Sequence, residues 1–204
     1  RILGGKGSAY SEGIFINDLN SSASIIDNYI EAEYSSSGNS VGIYIYSTQE
    51  STSGSPANIR RNTIIAGQGI TSYGVVISNY ADAVLVSNVI KAGNGNYSYG
   101  VFLAGPAGGP SISPLIYNNT IDAGKASNRN GIKILDYSEP DIRNNIIYNE
   151  GGASNSFGVH ESAANADPLY LQNNIFYGFQ YYYYDDDLLQ SINYISDVNN
   201  LSGD

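Results

Sequence analysis

The chain has no cysteine, which excludes disulfides and every thiolate-bound metal site. Asp, Glu, Lys and Arg together make up only 14% of it, too little for a charge-driven disordered segment. No apolar run approaches the length needed to cross a bilayer. Positive charge is scarcest: 9 Lys and Arg stand against 19 Asp and Glu, a net charge of −10. That balance argues against nucleic acid and acidic lipid as partners. Helix signals are nearly absent before the last thirty or so residues. No leader-like segment is visible and the chain opens on Arg1, which reads as mature or truncated material.

What the chain has in excess is asparagine at a fixed place. Six times an Asn follows a branched apolar residue by three positions and precedes another apolar residue by two. The six are Asn28, Asn62, Asn88, Asn119, Asn145 and Asn174, at intervals of 26 to 34 residues. Each follows a Gly-[Ile/Val]-x-[Ile/Leu] signature at Gly13, Gly42, Gly74, Gly100, Gly131 and Gly158, the last with Glu161 in place of the final apolar residue. A period of this length predicts a solenoid. An Asn side chain carries two donors and an acceptor, so stacked copies can satisfy one another inside a turn. Asn also tolerates the left-handed backbone of a sharp bend. Around the Gly signatures, Ile43 and Ile45 alternate with Tyr44 and Tyr46, and Ile132 and Ile134 with Lys133 and Leu135. That is the pattern of strands with one buried face.

These motifs resemble those of the right-handed parallel β-helix proteins of the pectin-lyase-like superfamily, whose coils often carry an internal Asn ladder. The resemblance covers about residues 1–178. It implies an all-β, right-handed parallel β-helix of about six to seven coils. It does not fix function, because that architecture hosts lyases, hydrolases, tailspikes and adhesins. Residues 1–204 are expected to form one domain, with coils over 1–178 and a final strand plus short helix over 179–204. That helix, expected from the spacing of Leu188, Ile192 and Ile195 behind Asp185–Asp187, would be a cap or an excursion between coils. Ile2–Gly7 matches the segments that follow the Asn in later coils, Ile64–Gly69 and Ile90–Gly95. The chain therefore reads as opening in mid-coil, as a piece of a longer protein.

Two coils carry extra residues rich in Gly, Pro and Ser, Ser47–Ala57 and Ala104–Pro114. They are expected to project from one side and to flank a binding groove. The outward positions of the long strands form a column: Phe15, Tyr44, Val76, Phe102, Lys133 and His160. Phe15, Tyr44 and Phe102 are the candidate carbohydrate platform, against the alternative of a ladder that merely shields the sheet. His160, Lys133 and Asp136 are the candidates for acid–base chemistry, against the alternative of ordinary surface groups. Family lyases use Lys or Arg with calcium and family hydrolases use clustered aspartates; neither arrangement is visible. Glu161 breaks the inward pattern, and the expected reason is fraying that leaves it partly wet, against the alternative of a buried functional acid. Asp185 and Asp187 are the candidate calcium ligands, against a solvated charge run. No other cofactor is expected.

The expected function is a non-catalytic, extracellular or cell-surface segment of bacterial origin, a rigid scaffold or adhesin-like platform that meets a glycan or a surface partner. One alternative is a polysaccharide lyase or glycoside hydrolase, or part of one. Another is end-to-end or lateral self-association into a tailspike-like fibre.

Overall fold

The structure is a computed structural model that describes residues 1–17, 23–49, 56–150, 154–186 and 188–198. It is a parallel β-helix. The long strands Tyr10–Asn17, Asn39–Ser47, Thr71–Asn79, Tyr97–Ala104, Asn128–Leu135 and Asn155–Glu161 stack in parallel as one sheet. A second sheet stacks the strands just before each repeated Asn, from Ser24–Ile26 to Tyr170–Gln172. A third stacks those just after it, from Ile2–Leu3 to Ile175–Tyr177. Each strand thus pairs with its counterpart one coil away, and the interior between the sheets fills with columns of aliphatics. Ile30, Ile64, Ile90, Ile121 and Ile147 form one column, and Ile59, Leu85, Ile116 and Ile142 another, all fully buried. Burying each such side chain stabilises by about 1.5–3 kcal/mol.

The asparagines meet as a ladder in the turn between the second and third sheets. The backbone N–H of Asn62, Asn88, Asn119 and Asn145 donates at 2.9 Å to Oδ1 of the next Asn along. Their Nδ2 groups donate to the same oxygen at 3.0–3.1 Å. Nδ2 also reaches back a coil, as from Asn88 to the Ile59 carbonyl at 2.9 Å. The left-handed residue is not the ladder Asn itself but the one before it. Asp27, Arg61, Ser87, Asn118, Asn144 and Asn173 have φ between 54° and 60°, which turns the chain sharply and aims the next side chain inward.

Glycine sets the other corner. A Cβ on Gly74 would lie 2.4 Å from Ile90 Cγ2 and 2.5 Å from the Gly100 carbonyl oxygen. Gly74 therefore faces the interior, and Val75 after it is also fully buried. Two consecutive inward residues break the simple alternation. The outward positions on either side, such as Tyr73 and Val76, consequently share one outer face.

Two expectations are corrected. Leu188, Ile192 and Ile195 do not share a helix. Tyr181–Asp185 continues the long-strand sheet, and Gln190–Ile192 folds back antiparallel on it. Leu188 and Leu189 lie exposed in the intervening turn, where the Leu188 amide donates to Asp185 Oδ1 at 2.9 Å. The helix is the single turn Ile195–Val198, whose Val198 inserts into the core. Glu161 is not frayed or wet: it is 1% exposed and accepts a hydrogen bond from the Tyr183 hydroxyl. The hairpin strand that supplies Tyr183 covers the last coil, and this polar partner is what allows a carboxyl group inside.

Candidate functional site

The register places the candidate column as the spacing predicts. Phe15 pairs with Tyr44, Tyr44 with Val76, Val76 with Phe102, Phe102 with Lys133, and Lys133 with His160. Tyr184 extends it by one strand. Because of the glycine corner, a second outward column runs beside it through Glu12, Val41, Tyr73, Tyr99, Asn130, Phe157 and Tyr181. The rings of the two columns interlock. Phe15 meets Tyr44 edge-on at 5.4 Å. Tyr73 stacks on Tyr99 at 5.3 Å and meets Phe102 edge-on at the same distance.

Valine interrupts both columns at neighbouring positions. Val41 lies beside Tyr73 and Val76 beside Tyr44, and both valines are buried at the floor. Where larger rings would close the surface, a groove of about 480 Å³ opens across four coils. Its walls are Phe15, Tyr44, Tyr73 and Phe102, and Tyr10, Asn39, Ser78 and Asn79 supply polar atoms. The Ser78 hydroxyl donates to the Tyr44 hydroxyl at 3.4 Å. Ala104 and Gly105, which open the second insertion, border the groove. Most of the first insertion, residues 50–55, lies outside the described residues. Burial raises the Tyr73 hydroxyl pKa, and it raises the Glu12 carboxyl above its usual range. Glu12 is the only carboxylic acid among the described residues that line the groove.

The acid–base candidates lie farther along and form no catalytic constellation. Lys133 is 8% exposed, and burial lowers its ammonium pKa to about 8, with Asp186 opposing. Burial, aided by the Lys133 charge, lowers His160 to about 3. The His160 ring packs between Phe157 at 4.4 Å and Tyr184 at 5.0 Å, and its Nδ1 is 3.4 Å from Asn130 Nδ2. It is a neutral member of an aromatic stack. Asp136 is exposed, and its backbone carbonyl accepts from Gly105 and Ser138. No ion pair among the described residues joins its carboxylate to Lys133. Asp185 binds the Leu188 amide, and Asp187 lies outside the described residues. No group of three metal-ligating side chains occurs among the described residues.

Two features escaped the sequence reading. One is the second outward column, signalled by the residue immediately before each glycine. The other is a serine column two residues before the glycines, at Ser11, Ser40, Ser72, Ser98 and Ser156, buried throughout. Their hydroxyls tie the long strands to backbone groups of neighbouring turns. Ser40 donates to the Glu33 carbonyl at 2.9 Å and accepts from the Gly67 amide at 2.8 Å.

No family model matches the chain, and neither a characterised protein nor a solved structure matches it.

Proposed function

We propose that the chain is a non-catalytic β-helix segment of an extracellular or cell-surface bacterial protein and that its ring-lined groove binds a glycan. The observation that carries this reading is the pair of valines, Val41 and Val76. A column serving only to shield the sheet would fill these positions with rings and leave no space. Here the rings withdraw to the walls and leave a cleft of about 480 Å³, within the size range of small-ligand sites. Pyranose rings present apolar C–H faces to aromatic side chains and hydroxyls to a polar rim. The groove supplies both. Successive wall residues follow the strand spacing of about 4.8 Å, so a linear oligosaccharide along the helix axis could meet several coils at once. The resemblance to pectin-lyase-like proteins agrees with a carbohydrate ligand.

Hydrolysis of a glycosidic bond commonly uses two carboxyl groups flanking the scissile bond. Glu12 alone among the described lining residues supports binding over cleavage. The test is a glycan array followed by titration calorimetry with wild type and the Tyr44→Ala/Phe102→Ala double variant. Retention by wild type, with at least tenfold weaker binding by a variant of unchanged circular dichroism, supports the platform. Equal binding by the two proteins, or silence from both, overturns it.

A further inference from the structure

We infer that the groove selects amine-bearing glycans, such as oligomers of unacetylated amino sugar, over neutral and acidic ones. This deepens the glycan-binding reading and rests on it. Four aromatic walls, Phe15, Tyr44, Tyr73 and Phe102, turn toward a cleft whose only acidic or basic side chain among the described lining residues, tyrosine hydroxyls aside, is Glu12. No Lys, Arg or His is among them; the nearest cation in the column, Lys133, begins one coil beyond Phe102. Ring faces carry negative electrostatic potential and attract ammonium groups.

Glu12 is placed to complete such a site. It shares an outward column with Val41 and Tyr73, across the strand from Phe15. Partial burial raises its pKa, so its charged form lacks compensation in the free protein. An ammonium arriving between the rings would supply it. The same field disfavours a uronate or sulfated sugar, as does the chain's net charge of −10. An amino sugar combines the apolar ring face that the walls need with the cation that Glu12 and the rings favour.

The experiment compares the hexamer of glucosamine with the hexamer of N-acetylglucosamine, by titration calorimetry at a pH where the free amines are protonated. Wild type should bind the free-amine hexamer at least tenfold more tightly, and Glu12→Gln should reduce that preference severalfold while keeping the fold. Equal affinities, or a preference for the acetylated hexamer, would overturn amine selection. If the tighter binding persists unchanged in both Glu12→Gln and Tyr44→Ala/Phe102→Ala, the attraction belongs to the acidic surface at large, and the inference fails. Amine selection can fail while the double variant still loses both hexamers; the platform then stands. If the double variant binds both as well as wild type does, the platform itself is refuted.

Discussion

Asn88 and Asn119 are 31 residues apart in sequence and joined twice in space. Both the backbone N–H and the side-chain Nδ2 of Asn88 donate to the single Oδ1 of Asn119, at 2.9 and 3.0 Å. The second hydrogen on Asn88 Nδ2 goes the other way, to the Ile59 carbonyl at 2.9 Å. One buried amide thus fastens three coils.

Replacing Asn88 by Ala removes its side-chain bonds and leaves the buried Ile59 carbonyl and Asn62 N–H of the preceding coil short of partners, while the backbone N–H of residue 88 keeps its bond to Asn119. The expected loss is about 1–3 kcal/mol, read as a lower midpoint in chemical denaturation. Asn28 makes fewer ladder bonds and is only half-buried, so Asn28→Ala should cost less. Equal effects at the two positions would refute the ladder's energetic role.

Gly74→Ala should be more damaging than its single added methyl group suggests. The new carbon would press on Ile90 and on the Gly100 carbonyl, at 2.4 and 2.5 Å, and the carbonyl is held in the sheet. Overpacking of this kind costs about 1–3 kcal/mol, several degrees of melting temperature for a chain this size. Gly5, whose added Cβ would meet nothing within 4 Å, is the control and should tolerate Ala.

Acid should destabilise the lower end of the aromatic column through His160. Its folded pKa of about 3 lies below the ordinary histidine value of 6.5. The unfolded chain therefore binds a proton that the folded chain refuses as pH falls from about 6.5 to about 3, and stability declines across that window. His160→Phe should flatten this part of the profile in thermal melts between pH 7 and pH 4. An unchanged slope would show that the folded ring takes up its proton as readily as the unfolded chain does, and would refute the downward shift.

The coil period and ladder positions were legible because a stacked structure repeats its constraints, and each constraint leaves one residue type at one spacing. The Asn-Asn pairs at Asn118–Asn119, Asn144–Asn145 and Asn173–Asn174 held more than the spacing argument used. The first Asn of each pair adopts the left-handed turn, and the second bonds within the wall. The groove was half legible. Strict alternation finds Phe15, Tyr44 and Phe102, but it cannot find Tyr73, because Gly74 and Val75 both face inward. The tail was misread for a related reason. Leu188 and Ile192 have helical spacing, yet a turn capped by Asp185 puts one in solvent and the other in a returning strand. Glu161 looked out of place because its partner, Tyr183, comes from Tyr181–Asp185, the strand that extends the sheet past the last coil and against which the returning strand folds.

The ladder's regularity also bears on how such a wall can change length. Every link joins a residue to its counterpart one winding away, and the same atoms recur at each step. Excising one whole period, residues 63–88, would bring the groups of Asn62 opposite those of Asn119 with the donor and acceptor pattern intact. Duplication or loss of complete units keeps the ladder's bonds in register, whereas an insertion of a few residues keeps it only where the added chain bulges outward. A wall built this way can be lengthened or shortened like a stack of plates that differ at the rim and share one fastening.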